Sequence, residues 1–204
     1  MADSRQWDSC GVSTISAIMN RKNFFKALGI VPLLDISTRS FGKDGIQFFP
    51  TSCQTQRDAE GPYYKVDAPP RSVIETEGAA LRIEGKILKG DDCKTPIANA
   101  ILDVWHCNKE GEYDLKGFKC RGQVKTDANG NYGFTTIFPP AYGGRPRHIH
   151  FKIRAEGYNE LTTQLYFQGD PNIKNDFARN AENERVISLS TEKSFKKGVF
   201  NIFL

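Results

Sequence analysis

The stretch LRIEGKIL, residues 81–88, alternates Leu81, Ile83 and Ile87 with Arg82, Glu84 and Lys86. That is the two-residue period of a strand with one face in a core and the other in water. Working outward, ANAILDVWHC (98–107) is mostly apolar and reads as a central strand. GQVKTDANGNYGFTTI (122–137) reads as a hairpin folded around Asn129-Gly130, the pair that best tolerates positive φ in a tight turn. HIHFKIRAEG (148–157), LTTQLYF (161–167), VISLS (186–190) and VFNIF (199–203) follow, punctuated by Gly, Pro or Asn. About seven to eight short strands with few helical signals predict an all-β chain, a β-sandwich rather than an alternating α/β fold. Residues 61–204 form this expected sandwich domain, and residues 1–60 read as an N-terminal arm with room for a helix.

The totals narrow the function classes. Of 204 residues, 39% are hydrophobic and 25% charged, enough for a packed core and unlike a disordered chain. The net charge, 28 − 24 = +4, is spread without a basic block or a recognition motif, so no nucleic-acid partner is expected. No run approaches the ~20 apolar residues of a membrane-spanning helix. NRKNFFKALGIVPLL (20–34) resembles a twin-arginine export segment with Arg-Lys in place of Arg-Arg. It equally fits an amphipathic helix, since Ile15, Ile18, Phe25 and Leu28 fall at helical spacings. Localisation therefore stands between export and the cytoplasm. Five cysteines, Cys10, Cys53, Cys93, Cys107 and Cys120, are an odd count with no CxxC pair, which argues against a zinc ribbon. Cys107 and Cys120 bracket a loop and fit either a disulfide or two buried thiols.

DANGNY (127–132) has its glycine too early for a calcium loop and no closing glutamate, so it reads as a turn. The chemistry gathers instead in AYGGRPRHIHF, 141–151. On a strand, residues i and i+2 share a face. His148 and His150 therefore project together, as adjacent metal ligands would, while Ile149 and Phe151 turn into the core. Tyr142 lies upstream in a Pro-Pro-Ala-Tyr-Gly-Gly loop, and Tyr113 lies in a turn after the strand that ends at His106. Phenolate oxygen is hard and anionic and suits Fe(III), whereas zinc takes His, Cys and carboxylate. With a reference pKa of ~10, two tyrosines become phenolates at neutral pH only beside a strong Lewis acid. Each tyrosine taken alone also fits a loop aromatic capping the sandwich edge.

GPYY (61–64), PIANAILDVWHCNKEGEY (96–113), RGQVKTDANGNYGFTTIFP (121–139), RPRHIHF (145–151) and LTTQLYFQGDP (161–171) occur in order over Gly61–Pro171. Together they resemble the catalytic domain of intradiol ring-cleavage dioxygenases, the protocatechuate 3,4-dioxygenase-like proteins. The resemblance implies non-haem Fe(III) held by Tyr113, Tyr142, His148 and His150. It implies a small aromatic diol and O2 as partners, and cleavage between the two hydroxyl-bearing carbons to a cis,cis-muconate-type diacid. By the same resemblance Arg145 lies beside the diol and stabilises its charge, Gln164 stands behind the site, and Tyr63 and Tyr64 line the substrate mouth. Tyr142 is the ligand that dissociates, and His106 is a structural residue. Gly143-Gly144 replaces a longer aromatic loop, which leaves one pocket wall to be defined by other residues. The short upstream arm points to the protocatechuate-type or small single-chain members rather than the catechol 1,2-dioxygenase branch, and a homo-oligomer is compatible with all of this. Two rivals remain at this stage: a non-catalytic, transthyretin-like binding module, and a zinc hydrolase built on His106, His148 and His150.

Overall fold

The computed structural model describes residues 53–204; the export-like segment 20–34 lies outside them, as does Cys10. Strand β1 (Ala80–Leu88) is the axis of one sheet. It pairs antiparallel with β4 (Asn131–Ile137) along one edge. Its other edge takes β9 (Lys196–Val199) and then β10 (Ile202–Phe203), both parallel, and β8 (Ser190–Thr191) adds outside β9. The second sheet runs β3 (Arg121–Lys125), β2 (Ile101–Trp105), β5 (His148–Arg154), β6 (Leu161–Phe167), β7 (Val186–Ile187). Three short 3-10 turns, Ile173–Asn175, Phe177–Asn180 and Asn183–Arg185, link β6 to β7. The all-β sandwich is as the sequence predicts.

The sheets pack through the alternation seen in the sequence. Leu81, Ile83 and Ile87 of β1 meet Leu102, Val104, Ile149, Phe151, Ile153 and Leu165 of the second sheet in one buried cluster. A fully buried side chain of this size contributes roughly 1.5–3 kcal/mol through its removal from water. His106 adds a polar tie between the layers, its Nε2 lying 2.7 Å from Thr136 Oγ1 on β4.

Two sequence readings are corrected. Residues 122–137 are not a hairpin, because β3 pairs with β2 whereas β4 pairs with β1. The turn itself forms as expected. Gly130 has φ +70°, and the Asp127 carboxylate accepts the backbone N–H groups of Asn129 and Asn131. The chain then leaves for the opposite sheet, since β4 gains seven residue pairs along β1. VISLS is likewise not one strand, as Val186–Ile187 pairs with β6 and Ser190–Thr191 with β9. Of the cysteines, Cys53 and Cys93 form a disulfide, while Cys107 and Cys120 are free and buried. Burial pushes their thiols up, Cys107 to about 11 and Cys120 to about 12. Cys53–Glu60, expected in the arm, is tied to the sandwich through that disulfide and through backbone bonds from Thr55 to Phe203 and from Asp58 to Thr162. Among the described residues no helix is long and apolar enough to cross a membrane.

Gly85 lets the β9–β10 segment close against β1. The Phe200 N–H donates to the Glu84 carbonyl at 2.8 Å, and the Tyr132 hydroxyl donates to the Phe200 carbonyl at 2.6 Å. A Cβ on residue 85 would lie 1.8 Å from that same carbonyl oxygen. Gly85→Ala therefore displaces Phe200 and should cost about 3 kcal/mol, the upper range for overpacking a buried site. Urea unfolding at neutral pH measures it, and a loss below ~1 kcal/mol would contradict the close packing described.

Candidate metal centre

Residues opposite each other across a sheet share a face. Arg121, Trp105, His150 and Gln164 form one such row across β3, β2, β5 and β6, with His148 opposite Tyr166 in the next. This face points away from the sandwich core, yet His148 is only 4% exposed and His150 3%. The cover comes from residues 55–64 and from the loops after β2 and before β5. Gln164 Nε2 donates to the Ala59 carbonyl at 2.6 Å, and Gly61 packs beside the His150 ring.

Local chemistry brings both tyrosines in. The Asn108 side chain accepts the N–H groups of Glu110 and Glu112, and the Asp114 carboxylate accepts those of Lys116, Gly117 and Lys119. Tyr113 stands between these two self-capped turns, an arrangement that Asn and Asp favour by competing for backbone donors. Tyr142 begins a tight turn closed by the Arg145 N–H on its carbonyl at 2.8 Å. The central residues, Gly143 and Gly144, have φ +54° and +79°, the condition of a type I′ turn. A Cβ on either would meet nothing within 4 Å, so this turn borders open space.

The four proposed ligands converge. The Tyr113 hydroxyl is 3.3 Å from His148 Nε2. Ring centroids lie 5.3 Å apart for Tyr113 and Tyr142, 4.9 Å for the two histidines and 6.3 Å for Tyr113 and His150. His148 Nδ1 is 2.7 Å from the Pro146 carbonyl, which can only accept. The ring proton is therefore on Nδ1, and the Nε2 lone pair faces the Tyr113 hydroxyl. His150 stacks on Trp105 at 4.8 Å, with a buried Nδ1 that has no partner. Burial lowers His148 to about 4 and drives His150 well below the ordinary histidine range, so both are neutral, the form that ligates a metal. Burial raises the Tyr113 phenol above its ordinary value, and the Tyr63 hydroxyl, with burial adding to it, raises Tyr142.

Tyr63 touches both tyrosines. Its ring stacks on Tyr113 at 4.3 Å and its hydroxyl is 2.6 Å from that of Tyr142. Tyr64 lies elsewhere, donating to Asp103 at 2.6 Å with Lys152 over its ring. Arg145 reaches Gln164 Oε1 at 3.1 Å and the Tyr166 hydroxyl at 3.2 Å, forms an ion pair with Asp176 at 3.0 Å, and stacks over Phe177. The Tyr166 hydroxyl donates to Asp58, which pairs with buried Arg185. Of these supports, Tyr166 was within reach of the sequence, two residues from Gln164 on the same strand; Asp58, Asp176 and Arg185 carry no local signal.

The donor set, two neutral imidazoles and two phenol oxygens without thiolate or carboxylate, suits a hard, strongly acidic cation. Among the described residues no three His, Cys, Asp or Glu side chains gather as a metal site. His106 is spent, its Nδ1 on the Cys107 carbonyl and its Nε2 on Thr136. This removes the third histidine that a zinc hydrolase would need and agrees with a structural role.

The described residues thus form an antiparallel-rich sandwich with a His-X-His strand and two loop tyrosines brought towards it. The chain belongs to the intradiol ring-cleavage dioxygenase family, and the family model described as "Dioxygenase" matches residues 59–203. It is 36% identical over 153 residues to catechol 1,2-dioxygenase 2 of Acinetobacter lwoffii, covering 61% of this chain and 55% of that protein. The chain thus spans about half the length of such relatives. The dioxygenase domain of a dioxygenase–carbohydrate-binding fusion from Streptomyces sp. SirexAA-E is 36% identical with TM-score 0.69, over 74% of this chain and 98% of that one. Catechol 1,2-dioxygenase from Pseudomonas arvilla C-1 is 28% identical with TM-score 0.66, over 74% of this chain and 62% of that one. Two of these three relatives are catechol 1,2-dioxygenases by name.

His106 gives a pH-dependent stability. Burial lowers it to about 4 from an ordinary 6.5. Below pH 6.5 the unfolded chain takes up a proton here that the folded protein refuses, so this contribution is complete above 6.5 and falls away towards 4. The loss approaches about 3 kcal/mol. In His106→Gln the fall attributable to this group should vanish, so the stability gap between wild type and variant narrows by that amount between pH 7 and pH 4. A gap independent of pH would show that His106 is not buried as a neutral ring.

Proposed function

We propose that this chain carries the catalytic centre of an Fe(III)-dependent intradiol dioxygenase, which opens a catechol-type ring between its hydroxyl-bearing carbons with O2 to a cis,cis-muconate-type diacid. The observation that carries this reading is the convergence of Tyr113, Tyr142, His148 and His150 from three separate segments, with Arg145 among them. A transthyretin-like binding module has no need of that convergence. Fe(III) held by these four side chains would supply Lewis acidity and a template for the two diol oxygens.

The remaining work falls to the chain. A diol must shed protons to bind as an anion, and Tyr142 Oη, once it has given up its own proton on metal uptake, would take one of them back. The Tyr63 hydroxyl at 2.6 Å then holds the neutral phenol, in reach of a single hydrogen bond. His148 and His150, neutral through burial, do not compete for that proton. Arg145 brings a permanent cation to the mouth of the site. Asp176, Gln164, Tyr166 and Phe177 fix its plane, so it stabilises developing oxygen charge without first reorganising. The Trp105 ring stacked on His150 and the segment at Gly61 keep water off the inner side.

Iron-loaded protein should take up oxygen with at least one member of a catechol panel and release a ring-opened diacid. It should also show the visible band of phenolate bound to Fe(III). Tyr113→Phe combined with Tyr142→Phe should abolish both. Arg145→Met should keep the band and lower turnover by roughly 10²–10³, the usual loss for one preorganised charge donor. A double tyrosine variant with wild-type turnover would refute the ligand assignment.

A further inference from the structure

Strand β2 reads Ile-Leu-Asp-Val-Trp, and its one aspartate stands among apolar neighbours. Asp103 is 2% exposed and shares the outer face with Trp105, in the row next to the one that holds His150. The reaction just proposed makes no use of it, yet both its oxygens are engaged. Oδ1 accepts from the Gln123 side chain at 3.0 Å. Oδ2 accepts from Arg154 at 2.8 Å and from the Tyr64 hydroxyl at 2.6 Å.

Tyr64 spans the two rows. Its ring packs on Trp105 with centroids 5.0 Å apart and lies under the Lys152 ammonium at 3.9 Å, while its hydroxyl ends on Asp103. Tyr63, the residue before, turns the other way: its ring stacks on Tyr113 at 4.3 Å and its hydroxyl meets Tyr142 at 2.6 Å. A ring that touches only the groups it must align needs a fixed point elsewhere. The flanking ties are made by long side chains, Glu60 to Lys152 and Lys65 to the carbonyls of Lys116 and Gly117. Glu60 is 40% exposed, and pairs of that kind contribute little. A hydroxyl donating to a buried carboxylate is short, directional and about twice as strong as a neutral bond. Asp103 is in turn held by β3 through Gln123 and by β5 through Arg154, so the fixed point belongs to the sheet.

We propose that Asp103 is a positioning residue of the centre described above, acting through Tyr64: it pins residue 64 to the sheet and so sets the adjacent Tyr63 against Tyr113 and Tyr142. Its effect on turnover rests on the function proposed above. Tyr64 thereby has a part other than the lining of the substrate mouth expected from the sequence. The two neighbouring tyrosines divide the work, one anchored to the sheet and the other presented to the site.

The test follows the Tyr63 ring by NMR in metal-free protein carrying isotope-labelled tyrosine. Its resonances are assigned by their loss in Tyr63→Phe, and stacking on Tyr113 displaces them from the position of free tyrosine. Tyr64→Phe removes the hydroxyl and keeps the ring on Trp105. In that variant most of the Tyr63 displacement should vanish, while the resonances of Tyr132, in the core, stay in place. Asp103→Val, which suits an apolar strand, should do the same; if it does not fold, Tyr64→Phe alone decides. In iron-loaded protein Tyr64→Phe should lower kcat on the order of tenfold, the loss of one charge-assisted hydrogen bond, and cost nothing further in a Tyr63→Phe background. Unmoved Tyr63 resonances, an unchanged kcat, or losses that add in the double variant overturn the inference and leave the proposed function standing. Loaded wild type that turns over no diol overturns the proposed function, and the resonances of the metal-free protein still decide what places Tyr63.

Discussion

Strand β5 is buried on both faces, and the site depends on how the second face is covered. Ile149, Phe151 and Ile153 fill the sandwich core in the ordinary way. His148, His150 and Lys152 face outward and would normally meet water, but residues 55–64 and two loops close over them. Covering a polar face is costly unless its groups are satisfied. The structure meets that condition in part with ion pairs: Arg185 with Asp58, both buried, and the more exposed pairs of Lys152 with Glu60 and Arg154 with Asp103. Removing one partner of a fully buried pair such as Arg185–Asp58 typically costs about 3–5 kcal/mol, so that contact holds the cover down even where its net contribution to stability is small.

The same contacts bind the site to the fold. Asp58 joins Arg185, Tyr166 and Gln164; Tyr166 and Gln164 join Arg145; and Arg145 joins Asp176 in the turns after β6. A cation placed by two strand residues and a turn carboxylate has little freedom to swing. The Gly143-Gly144 turn sets Tyr142 and Arg145 opposite each other, so one local geometry positions both side chains.

Much of this was legible in the sequence, for physical reasons that also explain what was not. The period of two in LRIEGKIL and HIHFKIR fixes which side chains enter the core, because a one-residue slip would expose every one of them. The turn at Asp127–Asn131 was also legible, since its chemistry is local. Its consequence was not, because the partner of β4 is chosen by seven pairs with β1, a strand more than forty residues earlier. The break within VISLS has the same origin, as strand switching between sheets leaves no mark in a short apolar run. Tyr113 and Tyr142 lie on loops without periodicity, so donor chemistry singled them out but only the likeness to a family joined them to the histidines. The cover residues Asp58, Asp176 and Arg185 act through contacts more than a hundred or at least thirty positions away, which no window of sequence spans.

Burial acts on the two kinds of donor in opposite directions and leaves both uncharged. It disfavours imidazolium, lowering His148 and His150, and it disfavours phenolate, raising Tyr113. Before any cation binds, the cluster is therefore a neutral group of side chains that can be packed without a counter-ion. The histidines need no deprotonation to become ligands, whereas each tyrosine must give up a proton. In the proposed centre, selection for a hard, highly charged ion would thus come less from the shape of the pocket than from the free energy needed to ionise its tyrosines.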